Sequence, residues 1–213
     1  MPIQELLRIP ADDVHIEGML ELPANARGLV LFAHGSGSSR HSPRNNHVAR
    51  MLHARGSGTL LLDLLTLSED LDYHTRFDIS LLTHRLLVAS AYVMQHTPAS
   101  RHLPIGYFGA STGAAAALQA AAALGDEVQA VVSRGGRADL AGAHELAKVR
   151  APTLLLVGEA DSEVLQLNRV AYAKLQCEKE LSVIPDATHL FEEPGALDEV
   201  ARQAADWFGR HWK

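Results

Sequence analysis

The chain has a single cysteine, Cys177, among its 213 residues. One thiol cannot build an internal disulfide framework, and with no partner motif beside it Cys177 reads as a free thiol. Long hydrophobic runs are also missing. No stretch approaches the roughly 18 apolar residues that a membrane span needs. The first residues, Met1-Pro2-Ile3-Gln4-Glu5, carry neither a basic stretch nor an apolar core, so they do not read as a signal peptide. Nor is there a surplus of positive charge: the formal net charge is −6, which argues against a general affinity for nucleic acid. These absences lead us to expect a cytoplasmic protein, monomer or homodimer, with a small-molecule substrate and no membrane or nucleic-acid partner.

Metal and nucleotide signatures are lacking too. Twelve histidines invite a metal reading. However, the six-residue spacing of His41, His47 and His53 does not put three ligands on one helical face, and no H-E-x-x-H or Cys/His pair occurs. The loop His34-Gly35-Ser36-Gly37 has no following lysine of the phosphate-binding type and no G-x-G-x-x-G pattern, so a nucleotide is not expected. We expect neither a metal nor a cofactor.

What remains is a chain 47% hydrophobic, long enough for one large domain over residues 1–213. Residues 3–22 alternate apolar and polar side chains around a break at Gly18, which predicts two short antiparallel strands at a sheet edge. From Gly28 onward, continuous apolar runs alternate with helical patterns. Strands are predicted over 28–33, 58–65, 103–108, 128–132, 152–157 and 181–184. Helices are predicted from Pro43 to Ala54, Ile79 to Gln95, Ala114 to Leu124, Leu140 to Ala147, Glu163 to Lys174 and Gly195 to Trp212. Runs buried on both faces and alternating with helices predict an α/β fold, a mostly parallel central sheet with helices on both faces. In such sheets ligands bind beyond the carboxyl ends of the strands.

The loops at those ends hold the chemistry. Gly109-Ala110-Ser111-Thr112-Gly113 lies where a buried strand turns into an alanine-rich helix, the setting that a G-x-S-x-G nucleophile elbow requires. An ordinary turn would read the same in isolation. A serine needs a base, and the base an orienting carboxylate. Asp161 and His189 follow two later strands, and Ser…Asp…His is the chain order of such a triad. Asp161 could instead cap the helix that follows it, with Glu159 and Glu163 as rival carboxylates, and His189 could be a plain surface histidine. Asp186 is better explained by its turn.

An oxyanion needs two donors. The expected ones are the N–H groups of Thr112 and of Ser36, with Gly35 or Gly37 as neighbours that could serve instead. Arg40, Arg44, Arg134 and Arg137 fall near these loops. Arg40 and Arg134 are the candidates for holding a substrate carboxylate, although solvated loop charge is the plainer reading. Leu64, Leu65, Leu190 and Phe191 are read as pocket wall or core, with Leu190 the candidate for substrate contact.

The elbow, the loop His34-Gly35-Ser36-Gly37-Ser38-Ser39 and the stretch Ala187-Thr188-His189-Leu190-Phe191 resemble the α/β-hydrolase superfamily, and within it the dienelactone-hydrolase-like branch. The resemblance runs from about Leu29 to Trp207. It implies the α/β-hydrolase fold with its first strands antiparallel, and ester or lactone hydrolysis through an acyl-enzyme. Dienelactone hydrolases proper use a cysteine nucleophile, whereas this chain has Ser111, which favours a general carboxylesterase. Short connections after the strands leave no room for a separate lid domain. A thioesterase, acyltransferase or peptidase could use the same triad, and a non-catalytic binding protein could use the same fold.

Overall fold

The structure, a computed structural model, describes residues 1–213. Eight strands form one sheet: β1 (Ile3–Ala11), β2 (Val14–Leu22), β3 (Leu29–Ala33), β4 (Gly58–Leu62), β5 (Ile105–Ala110), β6 (Val128–Arg134), β7 (Thr153–Gly158) and β8 (Lys179–Ile184). Their order is β1-β2-β4-β3-β5-β6-β7-β8. β1 pairs with β2 and β2 with β4 in antiparallel fashion, and every later pairing is parallel. The helices are α1 (Pro43–Ala54), α2 (Ile79–Gln95), α3 (Thr112–Leu124), the single turn α4 (Ala143–Leu146), α5 (Ser162–Lys174) and α6 (Ala196–His211). This is the α/β-hydrolase arrangement, with no inserted lid.

The central strands are buried end to end: every residue of β3, β4, β5 and β7 is inside. Alternate side chains serve two separate cores. Leu31, Tyr107 and Val131 face one core, under α2 and α3. Phe32, Phe108 and Val132 face the other, under α1 and α6. In the second core the rings of Phe32 and Phe108 stack at 4.8 Å, and Phe208 of α6 stacks on Trp212 at 5.5 Å. Trp212 covers Gly28 and donates its indole N–H to Ser57 Oγ at 2.9 Å; a side chain at position 28 would overlap the ring.

Two sequence expectations need correction. The reversal between β1 and β2 falls at Asp12-Asp13, with Asp12 at φ +57°, and not at Gly18. Gly18 lies within β2, where a Cβ would come 2.8 Å from Leu60 Cδ1 of β4. Its glycine admits neighbouring leucines and turns nothing. The strand expected over 58–65 ends at Leu62, although Leu64 and Leu65 remain core residues.

The order of the strands locates a site. From β3 the chain crosses by α1 to β4 on one side, then returns by α2 to β5 on the other side of β3. The loops leaving β3 and β5 therefore lead to helices on opposite faces, and a crevice opens between their carboxyl ends. Residues 34–37 and Ser111 flank it.

Candidate active site

Ser111 separates β5 from α3 with φ +50° and ψ −122°. A residue with a side chain reaches this region only when its surroundings enforce it. Here the backbone is gripped on both sides: Ser111 N–H donates to Arg134 O at 3.3 Å, and Ser111 O accepts from Arg137 N–H at 2.9 Å. The flanking glycines are required sterically. A Cβ on Gly109 would run into the backbone of Ala114, and one on Gly113 into the carbonyl oxygens of Ala33 and His34. The Ser111 turn thus packs directly onto the end of β3.

That contact brings in the 34–37 loop. A Cβ on Gly35 would lie 2.9 Å from Ser111 Cβ, so only glycine lets the loop come this close. Ser36 N–H donates to no backbone carbonyl. Thr112, the first residue of α3, has an N–H with no partner within the helix. Both residues line a narrow crevice together with Gly35, Arg76 and Leu82. The helix end adds its positive partial charge there.

His34 is a residue that sequence reasoning treated only as part of the loop. Its ring is buried, accepts from Leu64 N–H through Nε2 at 3.0 Å and lies 2.9 Å from Gly35 O through Nδ1. A ring nitrogen that accepts an amide proton carries no proton of its own. The hydrogen therefore sits on Nδ1 and donates to Gly35 O. Burial lowers the pKa of His34, against the Gly35 carbonyl and then Asp63 and Asp70, which act to raise it. The neutral ring ties the loop to the end of β4.

Asp161 and His189 come together. His189 Nδ1 donates to Asp161 Oδ2 at 2.6 Å, the carboxylate being the less exposed partner. Asp161 stands at the N-cap of α5 yet makes no side-chain capping bond, so its carboxylate serves the imidazole instead. The two loops are joined by backbone: Ala160 N–H donates to Ala187 O at 3.0 Å, and Glu159 N–H to Ile184 O at 2.9 Å. Gly158 permits this approach, since a Cβ there would meet the Ala187 carbonyl. Glu159, a rival carboxylate, accepts from Asp186 N–H and braces the turn. The imidazole packs against Gly135, where a Cβ would lie 3.5 Å from His189 Cε1, one residue beyond the Arg134 carbonyl that accepts from Ser111 N–H. A direct Ser111–His189 hydrogen bond is not among those formed.

The arginines divide. Arg40 is not free for a substrate carboxylate: its guanidinium pairs with Glu17 at 2.7 Å and with Asp63, and its N–H donates to Asp63 Oδ1 at 2.6 Å. Arg137 is held by Asp139 through two bonds of 2.8 and 2.9 Å. Arg44 pairs with Glu192 at 3.2 Å. Arg134 has a buried, unpartnered Nη1, and burial together with the charge of Arg44 pushes its pKa down to about 10. Leu190 is exposed, whereas Phe191 beside it is core.

Fold, crevice and turn together define an α/β-hydrolase. The family model described as the alpha/beta hydrolase domain matches residues 26–207, and the chain belongs to that family. It is similar to the crystal structure of a dienelactone hydrolase from Anabaena variabilis ATCC 29413, with 51% identity, a TM-score of 0.95 and coverage of 100% of this chain and 99% of that one. Est1E from Butyrivibrio proteoclasticus shares the fold, with a TM-score of 0.82 at 15% identity over 97% of this chain and 98% of its own. Curated relatives from two strains of Mycobacterium tuberculosis, provisionally named phosphoribosyl transferase, are 52% identical over 97% of this chain and 46% of theirs. The chain thus spans about half the length of the curated relatives it matches. No helix is long and apolar enough to cross a membrane.

Proposed function

We propose that this chain is a serine hydrolase of small carboxylic esters or lactones. The observation that carries the reading is the Asp161–His189 bond of 2.6 Å at the same sheet edge as a strained Ser111 turn. Ser111 Oγ attacks the carbonyl carbon, and His189 Nε2 takes its proton. Asp161 keeps the imidazole in the Nδ1–H tautomer and stabilises its cation. The N–H groups of Ser36 and Thr112 receive the oxyanion, and Arg134 and Leu190 border the acyl region. His189 then protonates the leaving oxygen, and water releases the acyl group by the reverse sequence. The likeness to a dienelactone hydrolase at 51% identity supports the same class of reaction. The phosphoribosyl transferase name belongs to proteins about twice as long, and nothing in the Ser111 corner calls for that chemistry.

The test is hydrolysis of p-nitrophenyl acetate, butyrate and octanoate by the wild type and Ser111→Ala. We expect the variant to lose at least about 10³-fold in kcat/KM, with short chains preferred by the wild type. Undiminished turnover in Ser111→Ala would exclude this serine as nucleophile.

A further inference from the structure

The loop that carries the proposed oxyanion donor has few constraints of its own. Between His34 and Arg40 it reads Gly35-Ser36-Gly37-Ser38-Ser39, small residues with much backbone freedom to lose and little side chain to pack. Gly37 takes φ +66°, and Ser38 N–H closes a tight turn on Gly35 O at 3.2 Å. Two ties hold this turn to the segment that follows β4. Arg40 N–H donates to Asp63 Oδ1 at the far end of the loop, and His34 Nε2 accepts from Leu64 N–H at the near end. Leu64 is a firm anchor: its side chain is in the core, and the preceding Asp63 N–H donates to Glu17 O of β2 at 2.8 Å.

His34 passes that anchorage on to one peptide group. Because Nε2 accepts, Nδ1 keeps the proton and donates to Gly35 O at 2.9 Å, closer than Ser38 N–H comes. The peptide between Gly35 and Ser36 is trans, so its C=O and N–H point in opposite directions. Holding Gly35 O on the imidazole therefore sets the direction of Ser36 N–H. Side-chain packing at position 35 cannot do this, since a Cβ there would lie 2.9 Å from Ser111 Cβ.

We propose that His34 is a positioning residue whose Nδ1–H bond to Gly35 O aims Ser36 N–H at the carbonyl oxygen of a substrate at Ser111. The proposal rests on the serine-hydrolase reading above. His34 touches no reacting atom and exchanges no proton during turnover. Its bond also tightens as the reaction proceeds. When Ser36 N–H donates to the developing oxyanion the peptide polarises, and Gly35 O becomes a better acceptor for the imidazole N–H.

Two substitutions separate the two bonds of the ring. Asparagine places an amide N–H where Nδ1 stands and gives up the Leu64 bond. Glutamine reaches Leu64 with its carbonyl and gives up the bond to Gly35 O. With p-nitrophenyl acetate, His34→Gln should lose at least about tenfold in kcat at unchanged KM, and His34→Asn should recover most of that loss. Affinity for trifluoroacetone, whose adduct with Ser111 Oγ carries the oxyanion, should fall in step with kcat. An unchanged kcat in His34→Gln, or equal losses in the two variants, overturns the proposal. Should both variants misfold, the wild type supplies the measurement. On adduct formation the His34 Nδ1–H proton should move downfield in proton–nitrogen correlation spectra, and a stationary resonance overturns the proposal. Full turnover in Ser111→Ala would overturn the serine-hydrolase reading and the proposal together, whereas turnover lost there but kept in His34→Gln overturns the proposal alone.

Discussion

At Ser111 the backbone adopts a conformation that glycine holds freely and serine holds at a cost of about 1–3 kcal/mol. Ser111→Gly should therefore raise unfolding free energy by about 1 kcal/mol while abolishing ester hydrolysis, as denaturant titration and assay would show. With Ser111 as the proposed nucleophile, that pair of outcomes would set stability against reactivity at this one residue. Asp161 makes the opposite case, a side chain with no role in capping its helix. Asp161→Asn should keep the fold and KM but lower kcat by about 10⁴-fold, because the amide favours the wrong imidazole tautomer. A loss in Tm comparable to that from an ordinary cap, with kcat intact, would refute this assignment.

The elements show which local signals translate into tertiary structure. Continuous apolar runs identified β3, β5, β6 and β7 because these strands are covered on both faces, so burial leaves a mark on every residue. The Ser111 turn was legible because its glycines lie within five residues of each other. Contacts between distant segments left no such mark. Arg40 reads as a free loop charge until Glu17 and Asp63 are seen beside it. His34 gains its role only from Leu64, thirty residues on. Gly18 carries the composition of a turn but is needed for the leucines of β4. At this scale Gly113→Ala is the informative change. Its methyl would meet two carbonyl oxygens at the end of β3, so it should cost about 3 kcal/mol and lower kcat by moving Ser111, measurable as a joint drop in Tm and rate.

Across the whole molecule, three histidines are held below their ordinary pKa mainly by burial: His34, His53 and His211. Each binds a proton more readily when unfolded than when folded. Their contribution to stability is therefore complete above the unfolded value of about 6.5 and is lost as pH falls below it toward the depressed folded values. Thermal melts at pH 7.5 and pH 5 should show lower stability in acid, and His34→Asn should shrink the difference; an unchanged difference would assign the effect elsewhere.

The two cores also differ in when they can be made. The core under α2 and α3 draws mainly on segments present once β6 has been synthesised. The opposite core needs Trp207 and Phe208, which arrive with α6, some hundred residues after the Phe108 they help enclose. During translation Phe32 and Phe108 must wait on a face covered only by α1. Assembly therefore proceeds one face at a time, and the interval before α6 emerges is when the nascent chain is most exposed to aggregation and most in need of a chaperone.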